Sequence, residues 1–166
     1  MVSAPRSALK DGSAWSRGKR FRLAGFVILV PAIGSIIGVL NTPGEWYAAL
    51  NKPSFNPPKW VFAPVWTVLF LMIGVAGFRT FESRPRDMVA KLWIVQMVLN
   101  FAWSPIFFSL HRVDVALAVI ISLFATVIAF ILRQWSVDRL AAGLFIPYAA
   151  WVCFATNLNG ALFILN

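Results

Sequence analysis

The sequence predicts an all-α fold: an integral membrane bundle of five transmembrane helices. It is 60% hydrophobic and only 13% charged, where a soluble domain carries about 25% charged residues. Its charges are also clustered, and they leave five uncharged runs, residues 23–40, 61–78, 92–110, 115–132 and 140–166. Each run is close to the ~17–25 residues an α-helix needs to cross the hydrocarbon layer. The ~10-residue alternation of a transmembrane β-barrel is absent from them.

The first run begins late and is longer than the ~7–15 residue apolar core of a signal peptide, so it reads as a span. The basic residues before it, 1–22, read as a flexible leader outside the membrane domain at 23–166. Their serine- and arginine-rich, acid-poor composition leaves an organelle-targeting role as the alternative.

The net charge of +9 describes topology rather than nucleic-acid binding. Arg6, Lys10, Arg17, Lys19, Arg20 and Arg22 precede the first run, and Arg79, Arg84, Arg86 and Lys91 separate the second from the third. Arg133 and Arg139 separate the fourth from the fifth. Only Lys52, Lys59 and Arg112 fall on the other side. This bias predicts a cytoplasmic N-terminus and a C-terminus on the opposite face, with any further role for the basic residues lying in contact with anionic lipid.

The second and later connections are short, so consecutive helices are expected to be antiparallel neighbours. The first connection, residues 41–60, is longer than most ordinary loops, and loops of that length are often functional. Its "TPGE" reads as a capping box with Thr42 as N-cap, Pro43 at N1 and Glu45 at N3. A short helix carrying Trp46 and Tyr47 should follow and end at Asn51-Lys52-Pro53. "NPP" then restarts the chain with Asn56 as a cap, and Pro64 predicts a kink or a delayed start near residues 60–63. The prolines stiffen a loop lying across the outer mouth of the bundle. Its aromatic residues either anchor that loop at the interface or line something beneath it.

Within the spans there is no Asp, Glu, Lys, Arg or His. That argues against a pump, a voltage sensor or a carboxylate-based hydrolase. The polar groups are amides and phenols set in aromatic stripes. Gln96, Asn100, Trp103 and Phe107 share one helical face, as do Tyr148, Trp151, Ala155 and Leu158 or Asn159 on the fifth span. Phe62, Trp66 and Phe70 form a third stripe. Such stripes can enclose an apolar cavity with a few orienting hydrogen bonds. On the stripes alone, ordinary interhelical packing is the simpler account. Gly34-x-x-x-Gly38, Gly74 and Gly77 permit close helix approach, within the bundle or between subunits. The single cysteine, Cys153, reads as a helix-packing residue and the single histidine, His111, as an interfacial one. Neither makes a metal site alone.

The pieces "PAIGSIIG", "WYAALNKPSFNPPKWVFAPVWTVLFLMIG", "LNFAWSPIFF" and "LFIPYAAWVCFATNLN" resemble the tryptophan-rich sensory protein and translocator protein family (TspO/MBR, peripheral-type benzodiazepine receptor). The resemblance runs from Pro31 to Asn166. It implies a five-helix bundle, often a homodimer, that binds tetrapyrroles such as protoporphyrin IX and other hydrophobic ligands beneath loop 1. The porphyrin is then a ligand, with no covalently bound cofactor. By motif, the implied pocket takes Trp46, Trp60, Trp66, Asn100, Trp103, Trp151 and Ala155, and the stripes add Phe62 and Tyr148. Trp66 and Trp151 match tryptophans linked to porphyrin chemistry in bacterial relatives. An alternative to a receptor or carrier is therefore a light- and oxygen-dependent porphyrin-degrading enzyme. A ligand-free structural subunit is a third.

The sequence departs from the family at Phe55, Phe70, Phe101 and Phe130, where relatives carry Tyr or Trp. The animal family's C-terminal sterol motif is also missing, since Gly160, Ala161 and Ile164 stand at its Tyr and basic positions. Lys52 and Lys59, at the mouth, are placed to meet a macrocycle's carboxylates.

Overall fold

Helix α1, Arg17–Leu40, opens the bundle. The computed structural model describes residues 15–166; most of the basic leader, 1–14, lies outside them. Residues 17–22, read as leader on composition, form the first turns of α1. Ser16 caps that helix by accepting a hydrogen bond from the Lys19 amide at 3.3 Å. The remaining elements are α2 (Glu45–Ala49), α3 (Phe62–Ser83), α4 (Met88–Ser104), α5 (Val113–Trp135), α6 (Arg139–Leu144) and α7 (Ile146–Leu165). No strand occurs among the described residues.

Five helical segments are long and apolar enough to cross a membrane: Arg17–Leu40, Lys59–Ser83, Met88–Ser109, Val113–Trp135 and Arg139–Leu165. Two are interrupted at proline. Pro105 has no N–H to continue α4, so residues 105–109 form a wider turn in which the Leu110 amide donates to the Pro105 carbonyl at 3.0 Å. The fifth span breaks at Phe145, two residues before Pro147, which divides it into α6 and α7.

The outward faces are those of a protein bathed in lipid. Ile28, Leu29, Ile36 and Val39 of α1 are exposed, and only Val30 and Gly34 of that helix are buried. A hydrocarbon solvent carries no penalty for such exposure, whereas each backbone polar group must be paired within the helices. Cys153 is also exposed, so it faces outward from α7 rather than packing between helices.

α5 packs along α4, α6 and α7, and α4 meets both α1 and α3 over shorter stretches. Sequential spans therefore pack side by side, as expected from loop length, with the second and third in the least extensive contact. α3 packs mainly on α1 and α6. It meets α4 through Trp93, whose indole N–H donates to the Ile73 carbonyl at 3.1 Å.

The glycines act inside the bundle. A Cβ at Gly74 would lie 2.7 Å from the Phe26 carbonyl oxygen, and one at Gly34 would run into the Phe70 ring. One at Gly38 would meet nothing within 4 Å. Of the Gly34/Gly38 pair, only Gly34 is a packing contact.

Loop 1 differs in detail from its sequence reading. The N-cap of α2 is Gly44, not Thr42, with no side-chain cap, and Glu45 is the first helical residue. Asn56 caps no helix. Its Oδ1 accepts from the Tyr47 hydroxyl at 3.1 Å. The delayed start near Pro64 is present: a 3-10 turn, Lys59–Val61, precedes α3.

Candidate functional site

Three aromatic stripes meet beneath loop 1. Stripe residues of α3, α4 and α7 face one chamber of about 820 Å³. Phe62, Trp66 and Phe70 supply one wall, Asn100 and Trp103 a second, and Trp151 and Ala155 a third. Gly34 and Gly38 of α1 close the fourth side, and the lack of a Cβ at Gly34 brings the backbone up to the Phe70 ring. Tyr47, Lys52 and residues 56–59 form the roof.

The walls are built from interlocked rings. Trp66 stacks on Phe70 with centroids 5.1 Å apart, and Trp103 on Phe107 at the same 5.1 Å. Phe62 meets Trp151 edge to face at 5.8 Å. Stacked and edge-to-face pairs add about 0.5–1.5 kcal/mol each beyond the area they bury.

Polar groups are held in a directed chain. Asn100 Nδ2 donates to the Tyr148 hydroxyl at 2.7 Å, and that hydroxyl donates to Gln96 Oε1 at 3.0 Å. Tyr148 and Gln96 are fully buried behind the wall, and Asn100 is the member that reaches the chamber. Trp103 is fixed separately. Its indole N–H donates to Asn159 Oδ1 at 3.0 Å, and Asn159 Nδ2 donates to the Val113 carbonyl at 3.0 Å.

The roof is tied to the end of α7. The Asn51 amide donates to Asn166 Oδ1 at 2.9 Å, and Asn166 Nδ2 donates back to the Asn51 carbonyl at 3.1 Å. Burial pushes the Tyr47 phenol above its ordinary value of 10.0, so it stays protonated and donates to Asn56.

Six of the nine site residues expected from the sequence line the chamber: Phe62, Trp66, Asn100, Trp103, Trp151 and Ala155. Tyr148 stands one layer behind, through Asn100. Trp46 is outside the lining and stacks on His111 instead. Trp60 is 73% exposed and turned to the surroundings, where an interfacial anchor belongs.

Of the two lysines, Lys52 is already engaged. Its Nζ donates to the carbonyls of Ala48 and Leu50 at 2.9 and 3.0 Å and sits 4.9 Å from the Tyr47 ring centroid. Lys59 is exposed on the roof with no such bond among the described residues. Tyr47, Gly34 and Gly38 were not legible as wall residues. The glycines carried only a packing signal, and Tyr47 sits on a helix of five residues, too short to show a period.

Comparison with known proteins gives the family. The profile of the TspO/MBR family matches residues 26–165. The chain is 36% identical over 139 residues to Protein CrtK of Rhodobacter capsulatus, covering 81% of this chain and 87% of that one. It is 35% identical over 143 residues to the tryptophan-rich sensory protein of Cereibacter sphaeroides, covering 85% and 90%. It is 34% identical over 139 residues to the human translocator protein, covering 79% and 82%. With the profile spanning all five helices and the relatives aligned over most of their length, this multi-pass membrane protein belongs to the TspO/MBR family.

Proposed function

We propose that the protein is a membrane receptor for flat hydrophobic ligands of the tetrapyrrole class, held in the chamber under loop 1. The chamber itself carries this reading. Its 820 Å³ falls within the range of about 300–1,000 Å³ usual for small-molecule sites. Its walls are indole and phenyl rings suited to the face of a macrocycle. Asn100 offers one fixed polar contact and Lys59 one cation for a peripheral carboxylate. Among the described residues the lining has no carboxylate, histidine or cysteine, so the geometry supports binding ahead of acid–base or nucleophilic turnover. The names of the relatives, sensory protein and translocator protein, support a sensing or carrying role.

We place the N-terminus in the cytoplasm. The ends of the helices bearing Arg22, Arg79 and Arg139 lie together, joined by Arg22–Glu82 and Arg79–Asp138 ion pairs. Basic residues concentrate there, as the positive-inside bias requires.

The test is a titration of the protein in nanodiscs with protoporphyrin IX, read by tryptophan fluorescence. Saturable quenching is expected at micromolar ligand, retained in Trp60→Phe and lost in Ala155→Phe, which fills the chamber. Absence of saturable quenching in the wild type would leave a ligand-free structural subunit. Porphyrin loss in light that disappears in Trp66→Phe and Trp151→Phe, with binding kept, would mark a degrading enzyme.

A further inference from the structure

A second concavity lies on the outside of the bundle. It is an apolar groove of about 640 Å³ between α3 and α7, lined among others by Pro64, Val68, Met72, Pro147 and Ala150. From Pro64 to Met72 it runs about 12 Å along α3 at ~1.5 Å per residue. Val68 and Ala150 are exposed there, at the depth of the membrane-crossing segments. One aromatic residue belongs to both the groove and the inner chamber: Trp151.

We propose that the hydrophobic ligand reaches the chamber sideways from the bilayer, between α3 and α7, with the Trp151 ring as the door. This rests on the receptor reading above. Three observations carry it.

First, the α3–α7 seam is the weak one. α3 packs along α1 and α6, and α7 packs along α5, but no extended α3–α7 contact exists. What closes the gap is aromatic edges, Phe62 against Trp151 at 5.8 Å and Trp66 against Tyr148 at 6.4 Å. Among the described residues no hydrogen bond joins the two helices. By contrast, α4 and α7 are joined by Asn100–Tyr148 and Trp103–Asn159.

Second, the Trp151 ring is held by ring contacts and not by a hydrogen bond, among the described residues. Trp93 and Trp103 have their indole N–H groups bonded to Ile73 O and Asn159 Oδ1. Trp151 makes no such bond among the described residues, so a rotamer change breaks only ring contacts.

Third, the seam is pinned at its two ends and not between them. The Arg79 guanidinium and the Asp138 carboxylate pair at 2.7 Å at the inner end, where α3 also packs on α6. At the outer end Asn166, which follows α7, is clasped to Asn51 of loop 1. Turning the Trp151 ring joins the groove to the chamber without disturbing either tie. The route through the roof is more costly, because it must release the paired Asn51–Asn166 bonds.

The occupant of the groove is therefore the ligand in transit, dissolved in the hydrocarbon layer, and not a resident acyl chain. A passage changes rates in both directions and leaves the equilibrium alone. The experiment uses the full chain in nanodiscs, with protoporphyrin IX delivered from preloaded vesicles and followed by stopped-flow tryptophan quenching. Ala150→Phe and, separately, Val68→Trp fill the groove from the lipid side, and neither residue touches the chamber. The expected result is association and dissociation slowed together by about fivefold or more, with Kd within twofold of wild type. Unchanged rates at unchanged Kd in both variants overturn the lateral passage while leaving the receptor reading intact. A weakened Kd with dissociation no slower than in wild type overturns it too, since the groove would then be part of the binding site. No saturable binding by the wild type overturns the receptor reading itself, and the passage with it.

Discussion

Trp46 lies face to face on His111, their ring centroids 4.2 Å apart and their planes 17° from parallel. This stack joins loop 1 to the turn between the third and fourth spans, 65 residues on. His111 holds its ring there from a left-handed backbone, with φ at 56°. Trp46 also meets Phe107 edge to face at 5.8 Å, and Ser109 donates from its hydroxyl to Asn41 Oδ1 at 2.5 Å. The lid is thus held over the chamber at two places, here and at the Asn51–Asn166 clasp.

Removing the stack should loosen the lid without unfolding the bundle. A ring pair of this kind contributes about 0.5–1.5 kcal/mol. His111→Ala should speed amide hydrogen exchange across residues 45–56 by about two- to tenfold, leaving exchange in α4 and α5 unchanged. Equal exchange in the lid of variant and wild type would show that the stack does not hold it.

The buried chain Asn100–Tyr148–Gln96 has a different signature. Tyr148→Phe leaves the Asn100 donor and the Gln96 acceptor facing a hydrocarbon core. Orphaning a buried polar group costs about 1–3 kcal/mol. Thermal unfolding in detergent should drop accordingly. Tyr148→Phe combined with Gln96→Leu should recover part of the loss, because the deeper orphan is removed with its partner. A double variant worse than the single would refute the coupling.

The three glycines facing α1 and α3 should rank in a fixed order. Gly74→Ala places a Cβ 2.7 Å from a backbone carbonyl of Phe26, which cannot move without separating the two helices. Overpacking of that kind costs about 1–3 kcal/mol. Gly34→Ala meets the movable Phe70 ring instead and should push it into the chamber, weakening ligand binding more than stability. Gly38→Ala has open space around it and gains helix propensity of up to about 1 kcal/mol. Unfolding midpoints and porphyrin titrations of the three variants test the order; equal losses at Gly74 and Gly38 would contradict it.

Asp138 makes the inner end of the bundle acid-sensitive. Burial pushes its carboxyl up, but the Arg79 guanidinium and the backbone amides of Ala141 and Leu140 outweigh that and hold it below its ordinary 3.8. A carboxylate lowered on folding contributes stability that is fully present above 3.8 and is lost as the pH falls below it. Wild type should therefore lose more stability between pH 5 and about pH 3 than Asp138→Asn does. Parallel acid melts of the two proteins would remove Asp138 from the account.

Hydropathy was enough to place five spans. A backbone in hydrocarbon must pair its own polar groups, so an uncharged run of span length has little choice but helix. The amide and aromatic spacings also placed Asn100, Trp103, Trp151 and Ala155 on common faces, since 3.6 residues per turn is a property of the chain alone. Caps were read less well. Thr42 and Asn56 have the chemistry of N-caps, yet Gly44 begins α2 and Asn56 bonds Tyr47. A side chain with several local partners takes the one that the tertiary fold brings near.

What the sequence determined by itself was the number, length and polar faces of the helices, through the cost of an unpaired peptide group in lipid. What only the tertiary structure decided was which tryptophans look inward. An indole is equally at home in an apolar wall and at a membrane interface. Trp66 and Trp151 line the chamber, Trp60 faces away from it and Trp46 lies on His111, because helix rotation and the fold of loop 1 bring different neighbours to each.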